Sequence, residues 1–297
     1  MISVPIIDHE KCTLCGRCVK VCPQRVLTIE HDAIKTVEDE CMLCSHCYAV
    51  CSFGAIRFDP GALAGISMKT FQYHEKIIAP GSFSPSDLVN FARSRRSVRK
   101  FKSDPVGAAV LSDLITFAVT APSGSNCQTW EFLAVNGREK VWNLALEIRK
   151  FFIKLNRLAK NPLVRYLSVP FIGTALVRYY NEHMESVEMG LKDAEEGRDI
   201  LFHEAPALVI IHGGNEGSTP LEDAQYASYN ITLLAHALGL GTCYIGYAVE
   251  SINRSSSIKN YLGIPAADRI YAVLAVGHPD VKFDRLALRK PFQARIV

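Results

Sequence analysis

The chain has 297 residues, 48% hydrophobic and 21% charged, with a net charge of +3. That length suits about two domains of ~150 residues with an ordinary globular core, and so small a charge excess calls for neither nucleic acid nor an anionic membrane as a partner. The apolar stretches at 169–177 and 205–211 fall well short of the roughly 20 residues of a membrane helix, and Asp8 arrives too early for a signal peptide, so a soluble, cytoplasmic protein is expected.

Residues 12–23 read Cys12-Thr-Leu-Cys15-Gly-Arg-Cys18-Val-Lys-Val-Cys22-Pro23, and the spacing returns at Cys41, Cys44, Cys47 and Cys51. Each of the four offsets is 29 residues (41−12, 44−15, 47−18, 51−22). This C-x2-C-x2-C-x3-C spacing is the run with which bacterial ferredoxins hold cubane iron–sulfur clusters. Three thiolates on one tight loop converge on three irons, and the fourth is carried away to cap the other cluster. Cys12, Cys15, Cys18 and Cys51 are thus assigned to one 4Fe–4S cluster, and Cys41, Cys44, Cys47 and Cys22 to a second. A pair of zinc knuckles is the alternative, but zinc gives no reason for a third cysteine at +6 in both halves. Eight of ten cysteines in the first 51 residues of a long chain point to reduced thiols rather than a disulfide framework. The second run ends Cys51-Ser52 where the first ends Cys22-Pro23, which puts only its turn geometry in question. His46, inside that run, reads as an exposed polar residue rather than an iron ligand.

Residues 1–60 form this two-cluster domain, as two short strand–loop–helix repeats. Residues 61–85, with scattered Gly, Pro and Ser, read as a connecting segment. A second domain spans 86–297. Ser84-Pro85-Ser86-Asp87 announces a helix, with Ser84 as N-cap and Leu88, Val89, Phe91 and Ala92 on its apolar face. It runs into the basic stretch Arg93 to Lys102, for which three readings stand open: a solvated face, a nucleic-acid patch, or a clamp of guanidinium forks and a serine hydroxyl for a phosphate monoester.

A helix is expected over 105–120, ending in the small-residue loop Ala121-Pro122-Ser123-Gly124-Ser125-Asn126-Cys127-Gln128-Thr129-Trp130, which lets a ligand approach backbone N–H groups. A strand over 131–136 follows, then a long helix over 138–160. Residues 162–180 read as an irregular apolar and aromatic segment, a lid, subunit contact or core. A buried strand is expected after Pro206 and a helix over 222–238. The segment Gly239 to Gly246 follows, then a last strand over 270–276, Gly277-His278-Pro279 and a basic tail around Arg289.

Taken together, Ser94 to Phe101, Ala121 to Trp130, His203-Glu204-Ala205-Pro206, Ala235 to Gly246, Val276 to Pro279 and Arg289 to Pro291 resemble the nitroreductase family of FMN-dependent enzymes. The chain looks like a ferredoxin–nitroreductase fusion. The resemblance implies an α+β fold: a ferredoxin-like two-cluster domain followed by an α+β sandwich that forms a homodimer with FMN between subunits. It also implies that Arg95, Arg96, Ser97 and Arg99 hold the FMN phosphate and ribityl chain. Pro122, Ser123, Gly124 and Asn126 would reach the flavin from the other subunit, Ile245 and Gly246 would line the isoalloxazine, and Arg289 would add a phosphate contact. Thr129, where the family often has proline, and Cys127 depart from the pattern. Cys243 reads as an inert buried thiol.

The expected function is a flavin-dependent oxidoreductase. Electrons would pass from two 4Fe–4S clusters to FMN and on to a small electron-poor acceptor such as a nitroaromatic, quinone or activated alkene. A ferredoxin or another low-potential donor would supply them, with NAD(P)H the other candidate. The alternatives are an electron carrier that serves a protein partner without small-substrate turnover and, further off, a nucleic-acid repair role. No acid or base side chain is named from the sequence.

Overall fold

The computed structural model describes residues 4–37 and 41–297. They form two compact units. The smaller comprises Met1–Ser67 with Pro122–Gln128 and Gly217–Thr219, and the larger comprises Met68–Ala121, Thr129–Glu216 and Pro220–Val297.

In the smaller unit β1 (Ile6–Ile7), α1 (Arg17–Val21), β2 (Leu27–Glu30), β3 (Ala33–Thr36), α2 (His46–Val50) and β4 (Ile56–Arg57) follow in order. β1 pairs antiparallel with β4, and β2 with β3. The 29-residue sequence step is also a conformational one. Leu14 and Leu43 are left-handed at φ 56° and 53°, Gly16 and Ser45 at 70° and 54°, and Arg25 and Gly54 at 55° and 63°. The Val26 N–H donates to Cys22 Sγ and the Ala55 N–H to Cys51 Sγ, both at 3.3 Å. Each helix thus starts at a left-handed cap, buries the third cysteine of its run (Cys18, Cys47) and ends on the fourth. Cys51 leaves α2 at φ −81°, ψ 96° and Cys22 leaves α1 at φ −75°, ψ 109°, so Ser52 supports the turn that Pro23 does.

The larger unit opens with residues 68–70 tied to α4 (Ala108–Ala118), which follows α3 (Pro85–Ser94). Buried Asp113 on α4 accepts from Lys69 N (2.6 Å), Thr70 N (2.8 Å) and Thr70 Oγ1 (2.5 Å). Burial opposes the charge, but these bonds outweigh it and hold the carboxylate below its usual pKa. Ser84 caps α3 through Asp87 N at 3.2 Å, with Pro85 in the first turn. The expected apolar face of α3 is nevertheless left open, Leu88 being 56% and Val89 53% exposed.

Then come β5 (Glu131–Asn136), α5 (Arg138–Lys160), α6 (Pro162–Leu167), α7 (Val169–Ile172), α8 (Ala175–Glu182), α9 (Met184–Glu195), β6 (Ala207–Gly213), α10 (Pro220–Ala237), β7 (Gly241–Tyr244), α11 (Gly246–Asn253), α12 (Ser256–Leu262) and β8 (Arg269–Gly277). The strands make one antiparallel sheet in the order β5-β6-β8-β7. Helices cover both faces, which is why β6 and β8 read as continuous apolar runs rather than alternating ones. Leu208, Ile210, Val273 and Ala275 face α5 residues such as Leu144, Ile148 and Phe152, whereas Val209, Ile211, Ala272 and Leu274 meet Leu114 of α4 and Ile231 of α10. At the bulged end of β6, His212 Nδ1 pairs with Asp268 Oδ2 at 2.7 Å, Asp268 lying just ahead of β8.

Two expectations change. The segment 162–180 is helical, not irregular: α6, α7 and α8 have 6, 4 and 8 residues, too short to show a 3.6-residue period. Pro162 and Pro170 sit in the first turns of α6 and α7, and Gly173, at φ 59°, ends α7. β7 is a strand within what read as a helix-ending glycine segment. Gly241 is required there because a Cβ would come within 2.5 Å of Val98 Cγ2. Among the described residues no helix is long and apolar enough to cross a membrane.

Candidate functional site

Cys22, Cys41, Cys44 and Cys47 line one cavity of the smaller unit. Burial pushes the Cys47 thiol up to about 11, with the neighbouring Cys41, Cys44 and Cys22 thiolates adding to the rise. Four thiols gathered at one cavity fit a cationic metal centre, which binds such groups as thiolates. The Cys18 thiol is raised as well, first by burial and then by Cys12 and Cys15. Cys12 and Cys51 pack against the small core that contains Cys18 and Cys47. His46 is exposed.

Pro122, Ser123, Gly124 and Asn126 lie on a loop of this same unit. Gly124 suits this place, since a Cβ would push aside the hydroxyls of Ser218 and Thr219. The Asn126 Nδ2 donates to Met42 O (3.1 Å) and Leu43 O (3.0 Å), the two carbonyls between Cys41 and Cys44.

In the larger unit the basic stretch leaves α3 at Arg95 and is laid along the sheet edge. Ser97 bridges Thr242 in parallel, Val98 N donates to Thr242 O (2.9 Å), and Lys102 N donates to His278 O (2.9 Å). Gly277 permits this approach, for a Cβ there would meet Pro206 Cδ at 2.6 Å and Phe101 Cδ1 at 2.9 Å. Arg95 packs 6.0 Å from the centroid of Tyr229, and its buried Nε has no hydrogen-bond partner among the described residues. Arg96 lies over Phe283, 5.1 Å from its centroid. An orphaned guanidinium donor, in a segment that carries two further arginines and Ser97, is what an incoming phosphate would satisfy.

Arg99, Ile245 and Gly246 line one cavity of about 930 Å³, together with His203 and Cys243. A Cβ on Gly246 would meet nothing within 4 Å, so the backbone there faces open space. Burial lowers the His203 pKa and the Arg99 charge lowers it further; burial raises that of Cys243 against the pull of Arg99. His203 and Glu204 both sit in the left-handed region, at φ 58° and 59°, a conformation that sets this turn apart. Arg289 is not brought to this cavity within the chain: it is exposed on the tail, its Nη1 donating to Leu288 O at 3.3 Å.

The far wall of the cavity comes from α5, α8, α9 and α11, and motif reading did not name its residues. Tyr247 meets Phe152 edge-on at 5.8 Å and His183 at 6.1 Å, and His183 neighbours Tyr179 at 6.4 Å. The Tyr179 hydroxyl donates to Asn156 Oδ1 at 2.5 Å, and burial raises its pKa. Asp199 also lines the cavity; burial pushes its carboxyl up to about 6 against the hydrogen bond it accepts from Phe202 N (2.9 Å). The signal in the sequence was the aromatic density of 162–203, which marks a pocket segment without saying which ring faces inward.

The profile of the Nitroreductase family matches residues 92–278, and that of the 4Fe-4S dicluster domain matches residues 4–52. A putative NAD(P)H nitroreductase, YfhC, of Bacillus subtilis is 41% identical over 203 residues, covering 66% of this chain and 86% of that protein. An iodotyrosine deiodinase of Daphnia pulex is 24% identical over 217 residues, 71% of this chain, which spans 65% of that relative's length. The crystal structure of a nitroreductase with bound FMN from Bacteroides fragilis superposes with a TM-score of 0.54 at 20% identity, over 71% of this chain and 98% of the other, and so shares its fold. With its sheet, its edge-bound basic segment and its cavity all inside the matched residues, the chain belongs to the nitroreductase family of enzymes and carries a 4Fe-4S dicluster domain ahead of it.

Proposed function

We propose that the chain is a flavin-dependent oxidoreductase that draws electrons through the dicluster domain and delivers them to a small electron-poor molecule. The observation that carries this reading is the buried, unpartnered Arg95 Nε at the start of a basic segment whose Arg99 opens onto the 930 Å³ cavity. Arg95, Arg96, Ser97 and Arg99 fit a phosphate monoester, and Ile245 and Gly246 fit the face of a planar ring system. FMN, when bound, exchanges electrons singly on one side and in pairs on the other, which is the chemistry that joins iron–sulfur clusters to a two-electron substrate.

The chain's own groups have distinct parts. Arg99 sets a positive field over the cavity floor. Phe152, Tyr179, His183 and Tyr247 give an aromatic wall suited to a flat acceptor such as a nitroaromatic or quinone. A cavity of this size favours small-substrate turnover over simple relay to a protein.

A second copy of the chain completes the site on this reading. α3 leaves Leu88 and Val89 open, and the tail leaves Leu288 at 93%, Phe292 at 88% and Ile296 at 95% exposure, apolar side chains that a second copy would cover. Arg289 lies on the same tail, and the 122–126 loop is the other element expected to serve the partner's flavin. Anaerobically purified protein is expected to be a dimer with about eight irons and one FMN per chain, and to reduce a nitroaromatic when given reduced ferredoxin. Zinc in place of iron, no flavin after reconstitution, or a monomer with full FMN content would overturn this reading.

A further inference from the structure

The internal repeat makes the two cluster runs equivalent in backbone, yet among the described residues one of them has a side-chain partner that the other lacks. The Asn126 side chain bonds the carbonyls of Met42 and Leu43, which lie between Cys41 and Cys44. Their counterparts 29 residues earlier are Thr13 and Leu14. Among the described residues no side-chain amide reaches the carbonyls of that pair.

The orientation of this amide is settled by chemistry. Two carbonyl oxygens can only accept, so the atom facing both must be the NH2 group, and both its protons are committed. Oδ1 is the atom left for any other partner. The loop presenting it is also tied by its own hydrogen bonds. Asn126 N donates to Ser123 O (3.0 Å), Cys127 N to Gly124 O (3.0 Å) and Gln128 N to Ser123 Oγ (3.2 Å). Ser125, Asn126 and Gln128 are all left-handed, at φ 50°, 54° and 48°. Left-handed residues in succession persist only where the surroundings over-determine them.

We propose that Asn126 is a positioning residue for the cluster of Cys22, Cys41, Cys44 and Cys47, and that this cluster, rather than that of Cys12, Cys15, Cys18 and Cys51, is the one coupled to the flavin. The inference rests on the preceding functional reading, which gives loop 122–126 to the flavin. One short, internally bonded loop then carries both duties. Its amide fixes the chain between two ligands of one cluster, while Oδ1 is the atom offered to the cofactor. The first run, with no such tie and with Cys15 exposed where Cys44 is half-buried, is left as the side that faces an incoming donor.

The test uses the full-length holoprotein. Asn126→Asp keeps the shape but replaces both donors with an acceptor, and Asn126→Ala removes the group. Cys47→Ser and Cys18→Ser identify which EPR signal of the dithionite-reduced protein belongs to which cluster. In both Asn126 variants the signal that Cys47→Ser abolishes is expected to change line shape and midpoint potential, while the signal that Cys18→Ser abolishes stays as in wild type. In samples matched for FMN content, flavin reduction by ferredoxin is expected to slow about tenfold or more. Two unchanged signals, or equal changes in both, would overturn the proposal, as would an unaltered rate. Wild-type protein lacking flavin or cluster signals would overturn the functional reading itself, and would show before any variant is made.

Discussion

The two units of the chain are stable for different reasons. Among its described residues the smaller has seven buried hydrophobic side chains, and two of these, Cys18 and Cys47, are proposed metal ligands. The larger packs aliphatic layers against both faces of one sheet, with Leu208, Ile210, Val273 and Leu274 wholly enclosed. A domain of about 60 residues buries only about 60% of the surface its unfolded chain exposes and is marginal without a staple such as a bound metal. Its repeat therefore encodes a cage for metal, whereas the larger unit encodes a core that leaves a cavity. The lesson is that conformation in the smaller unit is bought by ligation and in the larger by packing, so a lesion in one need not propagate to the other.

The largest effect expected from that difference follows iron removal. Chelation under reducing conditions should strip amide hydrogen-exchange protection from the β2–β3 hairpin, α1 and α2, because ligand binding energy in small metal domains is folding energy. The central strands β6 and β8 should keep theirs. Protection of the β2–β3 hairpin that survives complete iron loss would show that the smaller unit has a core of its own.

A lesion placed in the larger unit sharpens the contrast from the other side. Arg95→Ala with Arg99→Ala removes two guanidinium forks from the proposed phosphate site. Charge-assisted bonds contribute roughly 1.5–3 kcal/mol each, so FMN binding is expected to weaken by about two decades or more. Iron content and the cluster EPR signals should be unaltered. Flavin titration followed by fluorescence checks this; wild-type affinity in the double variant means the phosphate is held elsewhere.

How far this was legible in the sequence differs between the units in the same way. Ligand spacing is local, so the 29-residue repeat of cysteines could be read directly, and the structure matches it in conformation, with left-handed positions at Leu14 and Leu43 and N–H to sulfur bonds at Cys22 and Cys51. In the larger unit, long periodic elements such as the helix 138–160 and the strand 131–136 read at their full length. Short ones did not: α7 has four residues, and β7 is a strand only because Gly241 lets it lie against Val98. The motifs located Arg99, Ile245 and Gly246 at one cavity, but the facing wall of Tyr179, His183 and Tyr247 depends on how α8, α9 and α11 converge, which no local pattern records. Asn126 shows the same limit. Its motif marked it for a flavin, and its bond to residues more than eighty positions earlier is purely tertiary.

The smallest effect concerns Asp199, a carboxyl enclosed in the larger unit. Burial raises its pKa from 3.8 to about 6, the hydrogen bond from Phe202 N only partly opposing this. A raised folded-state value means the protonated form favours the fold. That contribution is complete below pH 3.8 and is lost as pH climbs through about 6. Asn resembles the protonated acid and can still accept from Phe202 N. Asp199→Asn should thus match wild type in strong acid and exceed it increasingly up to about pH 6. Above that the gain is level, with a ceiling of about 3 kcal/mol from a shift of roughly two pH units, which relaxation and water entry reduce toward about 1. Thermal melts of the FMN-loaded protein across pH 4 to about 8 read this directly. A variant less stable than wild type at the alkaline end would mean that the charged carboxylate is stabilised in the fold after all, by a partner that offsets its burial.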